Sequence, residues 1–262
     1  MTKANITYQR KIKYGVIGVI GFCAIWTMLG HMLLQYPEYQ QFYGFHPFLT
    51  VKALGGLMVS DFFWIATLAS IKRVTIGLLV ALILAVPIGI AIGFYDRVWM
   101  LTNIPIQFLR MISPLSWMPI AILVLPSFEE AIYFLITMSC IWPIVLSTAQ
   151  GVNRMDRKLI NMAKNQGAND IQLLLKIIFP SSLPNIIVGL RLALGISWII
   201  LVPAEFLGIT NGLGSSINDA RDTMEYDRLL AIVIAIGFIG FVLDVAVKNL
   251  EKKTHLRFII NK

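Results

Sequence analysis

Six stretches of this chain are apolar almost without interruption, at roughly residues 14–34, 74–94, 104–125, 131–149, 186–207 and 229–247. A helix rising 1.5 Å per residue crosses the hydrocarbon of a bilayer with about 20 such residues. The pattern predicts an all-α polytopic membrane protein: six transmembrane helices in a single transmembrane domain over residues 1–262. Little chain is left for a soluble module. The first span follows "TKANITYQRKIK" and lacks a small-residue cleavage site before "QYPEY", so it reads as a retained signal anchor.

The polar joints between these stretches predict the orientation. With the N-terminus inside, the inner segments hold fifteen cations: Lys3, Arg10, Lys11, Lys13, Arg97, Arg154, Arg157, Lys158, Lys164, Lys176, Lys248, Lys252, Lys253, Arg257 and Lys262. The outer segments hold five: Lys52, Lys72, Arg73, Arg221 and Arg228. Cytoplasmic loops carry the excess of Lys and Arg, so both termini are expected in the cytoplasm. The net charge of +8 then serves orientation and contact with anionic lipid and implies no nucleic-acid partner.

Composition agrees. The chain is 57% hydrophobic and 14% charged, with a mean hydropathy of +0.75, which excludes an ordinary soluble domain. Cys23 and Cys140 fall inside spans as small apolar residues, and no disulfide is expected. His31, His46 and His255 are too scattered for a metal site. No paired catalytic carboxylates, metalloprotease helix, nucleophile elbow or phosphate-binding loop occurs. The chain therefore reads as a non-enzyme with no catalytic residues and no bound cofactor or metal.

Several features point to a transport route. Pro87, Pro105, Pro114, Pro119, Pro143 and Pro203 interrupt four of the spans, each removing an intrahelical hydrogen bond. Irregular backbone at membrane depth is tolerated where it is buried in protein or lines a cavity. The third span is also polar: "QFLRMISPLSWMPI" contains Gln107, Arg110, Ser113, Ser116 and Trp117. Arg110, Ser113 and Trp117 follow i, i+3, i+7 spacing and share one helical face. A charge at that depth costs about 3 kcal/mol or more unless it faces protein or water. Residues 35–73 form an outer, aromatic-rich segment suited to the membrane interface, with a short helix expected from Pro47 to Leu57.

The longest inner joint, residues 150–185, contains "NMAKNQGANDIQLLLKIIFPSSLP". Arg157 to Gln166 predicts a helix with Leu159, Ile160 and Ala163 on its apolar side. Gly167 takes the left-handed turn that ends it, and Asn169 or Asp170 caps a second helix. There Ile171, Leu174, Leu175 and Ile178 form an apolar stripe. Pro180 is expected to stop that helix, with Ser181 or Ser182 capping the fifth span and Pro184 in its first turn.

Read as Asn161-Met162-Ala163, three residues, Gly167, nine residues, Ile177-Ile178-Phe179-Pro180, this joint resembles the cytoplasmic signature of binding-protein-dependent ABC importer permeases. That signature runs Glu-Ala-Ala, three residues, Gly, nine residues, Ile-x-Leu-Pro. Asn161, Met162 and Phe179 depart from it, while Ala163, Gly167, Ile177 and Pro180 keep its spacing. "ISPLSWMPIAIL", "IWPIVLSTAQGV", "LPNIIVGLRLALGISWIILVPAEFLG" and "GLGSSINDARD" extend the likeness over about residues 60–255. They resemble the nitrate, sulfonate and taurine group, nearest its nitrate and bicarbonate branch.

The resemblance implies a MetI-like fold in the bacterial cytoplasmic membrane and transport by alternating access. It also implies three kinds of partner: ABC ATPase subunits that carry the ATP and Mg, an external substrate-binding protein, and a second permease copy. ATPase coupling would fall to Arg157, Leu159, Ile160, Asn161, Met162, Ala163, Gln166, Gly167, Ala168 and Pro180. The pathway candidates are Arg110, Ser113, Trp117, Ser197, Trp198 and Glu205, an acid that recurs in the family. Arg110 is the expected partner of Glu205. Arg191 is expected to snorkel to the inner surface, and Asp244 to meet Lys248. The outer loop, with Gly212, Gly214, Asn218, Asp219 and Arg221, reads as a gate or a docking face for the binding protein. Nitrate is the first expectation for cargo, with bicarbonate, cyanate, alkanesulfonates and taurine behind it. The rival reading is an ion-gradient-driven transporter or channel. It would want coupling acids near the midplane and paired broken helices in two halves.

Overall fold

The computed structural model describes the backbone of residues 3–260, and side chains from Lys13 to Glu251 except Leu33, Tyr39 and Leu250. The side chains of Lys3, Arg10, Lys11, Lys252, Lys253 and Arg257, and the whole of Lys262, which weigh in the charge asymmetry, lie outside what is described.

The order is α1 (Lys3–Leu34), a 3₁₀ segment (Pro37–Phe45), α2 (Pro47–Val59), α3 (Asp61–Phe94) and α4 (Asp96–Leu109). A 3₁₀ turn (Pro114–Trp117), α5 (Met118–Val124), α6 (Phe128–Asn153), α7 (Arg157–Asn165) and α8 (Asp170–Leu173) follow. A π segment (Leu174–Ile178), α9 (Phe179–Phe206), α10 (Leu213–Asp222) and α11 (Tyr226–Ile260) complete the chain. Five helices among the described residues are long and apolar enough to cross a membrane, and α4 with the Pro114–Val124 segment makes a sixth if the bent pair counts as one span. Each of the six expected spans falls on one of these helical stretches. The helix expected from Pro47 to Leu57 is α2, its first turn capped by His46, whose Nδ1 accepts from Phe48 N–H.

Three spans differ from the reading of the sequence. The second is a 34-residue helix that begins at Asp61, not at Val74, so Lys72 and Arg73 lie within α3 and not in a loop. The third is not one helix: α4 ends at Leu109 and the chain turns by 84° before α5. Pro114 forces this break, because a residue preceding proline is pushed out of the helical region, and Ser113 sits at φ −59°, ψ 126°. Arg110, Ser113 and Trp117 therefore share no helical face. Pro87, Pro105, Pro143, Pro184 and Pro203, by contrast, all sit inside helices.

The third departure is at Pro180, which does not stop its helix. Residues 170–206 form one 37-residue helical span. The π segment absorbs the proline: Phe179 N–H donates five residues back, to Leu174 O. A single π turn accommodates a lost bond without ending the helix. It also changes which residues face inward. Leu173 and Ile178 are buried, while Ile171, Leu174 and Leu175 of the expected stripe are exposed.

The chain divides into two compact units. The larger comprises Ile65–Ser215 and the chain from Gly237 onward. Its centre is α6, where Ile132, Leu135, Ile136, Cys140, Ile144 and Val145 are fully buried. Lipid tails are as apolar as leucine, so membrane helices associate by close packing of small residues and a few hydrogen bonds. Both occur here. Gly77, Ala81, Ala85, Gly89 and Gly93 recur every fourth residue along α3. A β-carbon on Gly77 would lie 2.5 Å from Ile136 Cγ2, and one on Gly89 2.6 Å from Thr148 Cβ. On the other side of α6, a β-carbon on Gly189 of α9 would meet Ser147 Cβ at 2.9 Å. Thr137 Oγ1 donates to Gly77 O at 3.2 Å, and Cys140 Sγ to Ala193 O at 3.4 Å.

The smaller unit comprises the chain up to Trp64 with Ser216–Ile236. Here Phe42 and Phe45 stack on each other and tilt against Tyr226 at 5.2 Å. Trp26 Nε1 donates to Phe45 O at 3.2 Å. Part of the aromatic segment read as an interface belt is thus internal packing.

Gly89→Leu is expected to disrupt the α3–α6 seam, since its new side chain meets Val145 O, a backbone atom, at 2.8 Å. Overpacking of this kind costs about 1–3 kcal/mol or more. The purified chain should melt earlier and elute as a broad peak. Gly21→Leu on α1, with open space around it, should behave as wild type.

Candidate functional site

Glu205 is completely buried near the end of α9, and its partner is not Arg110. Arg73 Nη1 donates to Glu205 Oε1 at 2.7 Å and to Asn211 O at 2.7 Å. Ser70 Oγ, one turn earlier on α3, lies 2.8 and 2.9 Å from the two carboxylate oxygens. Gly214 N–H donates to Glu205 Oε2 at 2.9 Å, and Leu213 N–H to Ser70 Oγ at 2.9 Å. The carboxylate thus caps the first turn of α10, where a negative charge meets orphan N–H groups. Arg73 is only 4% exposed. Its Nε is buried without a hydrogen bond, 3.8 Å from Glu129 Oε1 at the start of α6.

This cluster explains two of the outer-loop residues. A β-carbon on Gly212 would sit 2.6 Å from the Glu205 carboxylate, and one on Gly214 would sit 2.7 Å from Glu205 Cβ. Both glycines let the backbone lie against the acid. Arg221 pairs with its neighbour Asp222 at 2.9 Å, and Asp219 O accepts from Thr223. Asn218 lies in α10 with them. Arg191 does not snorkel free. Its Nε donates to Asp244 Oδ1 at 2.9 Å, and its Nη1 lies 3.3 Å from Glu251 Oε2. Asp244 therefore has Arg191 as its hydrogen-bonded partner, in place of the expected Lys248.

The break after α4 opens a cavity of about 390 Å³. Arg110, Trp117, Met138, Ser139, Trp142 and Pro143 are among its lining residues, with Leu109, Leu146, Ile196 and Ile200 supplying apolar wall. Of the pathway candidates, Arg110 and Trp117 meet here. Ser113, Ser197, Trp198 and Glu205 do not line it. Ser197 is buried, its hydroxyl donating to Leu194 O. Trp198 packs on Gly240 of α11, where a β-carbon would lie 2.6 Å from the indole Nε1. Trp142 was missed by the sequence reading, although the "IWPIV" motif places it beside Pro143.

The segment from α7 to α8 forms as its sequence predicts. Asp156 Oδ1 accepts from Lys158 N–H at 2.9 Å and caps α7. Gly167 takes φ +83°, and Ala168 N–H and Gly167 N–H return to Ala163 O and Lys164 O, closing a Schellman turn. Asn169 and Gln172 then form a reciprocal capping box. Arg157 reaches Asp96 at the start of α4, 3.2 Å away with both side chains exposed; such a pair contributes little energy. Ile160 and Asn161 face a small cavity with Gly93, Phe94 and Val152. Leu159 and Met162 are about half exposed, at 48% and 59%.

Removing one member of the Arg73–Glu205 pair leaves the other charge buried and uncompensated, at a cost of about 3–5 kcal/mol. Glu205→Leu alone should therefore lower the melting temperature sharply. The combined Arg73→Met and Glu205→Leu variant should recover most of the loss. Simple additivity of the two single losses in the double variant would show that the residues are not coupled.

The chain is similar to known membrane permeases. Residues 77–256 match the family described as the binding-protein-dependent transport system inner membrane component. The chain is 33% identical to the bicarbonate transport system permease protein CmpB of Synechococcus elongatus, over 90% of this chain and 86% of that one. It is 32% identical to the nitrate import permease protein NrtB of Leptolyngbya laminosa, over 68% of this chain and 64% of that one. A bacterial alginate ABC transporter, solved with a periplasmic protein bound to alginate pentasaccharide, shares the fold. Its TM-score is 0.62 at 16% identity, over 95% of this chain and 96% of that one. The family match covers more than half of the chain, and the chain belongs to the inner-membrane permease components of binding-protein-dependent ABC importers.

Proposed function

We propose that this subunit imports a small oxyanion, delivered by an external binding protein, in a complex whose ATPase subunits dock on α7. The observation that carries the coupling role is α7 itself. A short helix capped at both ends leaves Leu159 and Met162 about half exposed. Rigid caps suit a lever, and exposed apolar residues suit a partner's groove. Arg157 ties the first turn of α7 to the first turn of α4, and α4 leads directly to the break at Arg110. Movement of α7 thus has a short route to the bent span.

In this reading both termini and the α7 joint lie on the cytoplasmic side, consistent with the Lys and Arg bias. Two copies of the chain form the pathway, which alternates its access. ATP and Mg belong to the partner. The bicarbonate and nitrate permeases among the relatives favour a small oxyanion, with nitrate ranked first and bicarbonate next; cyanate, alkanesulfonates and taurine remain candidates. No member of the Glu205 cluster is needed as a coupling acid, since that carboxylate is already neutralised by Arg73.

The test is purification of the tagged chain from its native membrane in mild detergent. An ATPase subunit should copurify with it in equal ratio. Leu159→Glu combined with Met162→Glu should abolish that association while leaving the melting curve unchanged. A wild-type chain that emerges without any ATPase would contradict the importer role and favour a gradient-driven transporter.

A further inference from the structure

Arg73, Arg110 and Arg191 lie away from the ends of the membrane-crossing segments, and two of them are neutralised inside the fold. Arg73 carries Glu205, and Arg191 carries Asp244 and Glu251. Arg110 has no ion-pair or hydrogen-bond partner among the described residues for its guanidinium. It lines the cavity at the broken span, and no carboxylate lines that cavity with it. Trp117 and Trp142 share the lining, and neither indole N–H has an acceptor within the described chain. The site therefore gathers one fixed positive charge and two indole donors in walls that are otherwise mainly apolar.

We propose that this cavity is an anion subsite in which Arg110 holds a small planar oxyanion during its passage; the inference rests on the importer role above. The chemistry selects for that class of ligand. A guanidinium is planar, weakly hydrated and always charged, and its fork meets two oxygens of a planar anion at once. A cation would be repelled, having no carboxylate to receive it. A monoanion with spread charge enters apolar walls at less cost than a compact, strongly hydrated one. The indole N–H groups of Trp117 and Trp142 offer further donors to the remaining oxygen, and each indole presents a flat apolar surface beside its N–H. A single unpaired arginine in a mainly apolar site also keeps binding weak enough for release, which conduction requires. Sulfonates present a tetrahedral head and a tail, so they use the fork less fully.

The position of Arg110 adds to this. It is the C-cap of α4, at the hinge between α4 and the Pro114 turn. Its side chain is exposed, and its guanidinium has no partner among the described residues. Substituting it removes charge from the cavity without leaving a buried partner unpaired, the reverse of the situation at Arg73.

The experiment is initial-rate uptake of sodium nitrate and of sodium bicarbonate. It uses proteoliposomes holding the full complex with its binding protein, loaded with ATP inside. Arg110→Gln is expected to lower uptake of the transported anion by about tenfold or more, the size of effect set by losing a charge-assisted pair. Arg110→Lys, which keeps the charge and loses the fork, should fall between the two, with a raised half-saturation concentration. Both variants should keep the wild-type melting temperature and the wild-type ratio of copurified ATPase, which separates a cargo contact from a structural role. Uptake by Arg110→Gln within about twofold of wild type would overturn the Arg110 assignment and leave the importer role intact. So would a loss in both variants that tracks a lowered melting temperature. Wild-type liposomes that take up taurine and neither oxyanion would overturn the anion reading itself, and the subsite with it.

Discussion

A buried ion pair, Arg73 with Glu205, is the constraint on which much of the larger unit depends. An arginine in the middle of a 34-residue apolar helix is costly unless a partner waits for it. Glu205 supplies the opposite charge, Ser70 the hydroxyl, and the start of α10 the backbone N–H. These contacts tie α3, α9 and the turn at 211–214 into one buried polar knot. Gly212 and Gly214 follow from it, because a side chain at either position would collide with the carboxylate or its stem. The charge of Glu205 is thus satisfied inside the protein.

Much of the architecture is legible in the hydropathy pattern, and each departure has its own physical cause. Lys72 and Arg73 read as the end of a loop because a sequence does not display that Glu205 lies 132 residues away to neutralise the second of them. Pro180 reads as a stop because proline removes a hydrogen bond, yet a π turn re-routes Phe179 N–H to Leu174 O and the helix continues. Pro114 does break its span, since the geometry of Ser113 is dictated by the ring that follows. The joint from Asp156 to Gln172 is nearly all readable, because caps and the Gly167 turn are local chemistry. The i+4 repeat of Gly77, Ala81, Ala85, Gly89 and Gly93 was also present as a signal. It marks the face where α3 closes on α6.

The two arginines that matter most are thus distinguished by their company. Arg73 is enclosed, paired and structural. Arg110 stands at a hinge, unpaired, in a cavity with Trp117 and Trp142 and no acid. Between α7 and that hinge lies a single helix, α4, joined to α7 by Arg157 and Asp96. In the proposed reading, the coupling helix, the bent span and the anion contact all lie in the larger unit.

The most direct test of this division of labour is uptake per assembled complex for the combined Arg73→Met and Glu205→Leu variant. Replacing a buried pair with apolar residues of similar volume is often close to neutral, so each complex that assembles should transport at about the wild-type rate. Complexes that assemble fully and melt normally, yet take up no substrate, would place Arg73 and Glu205 in the translocation machinery and contradict the account.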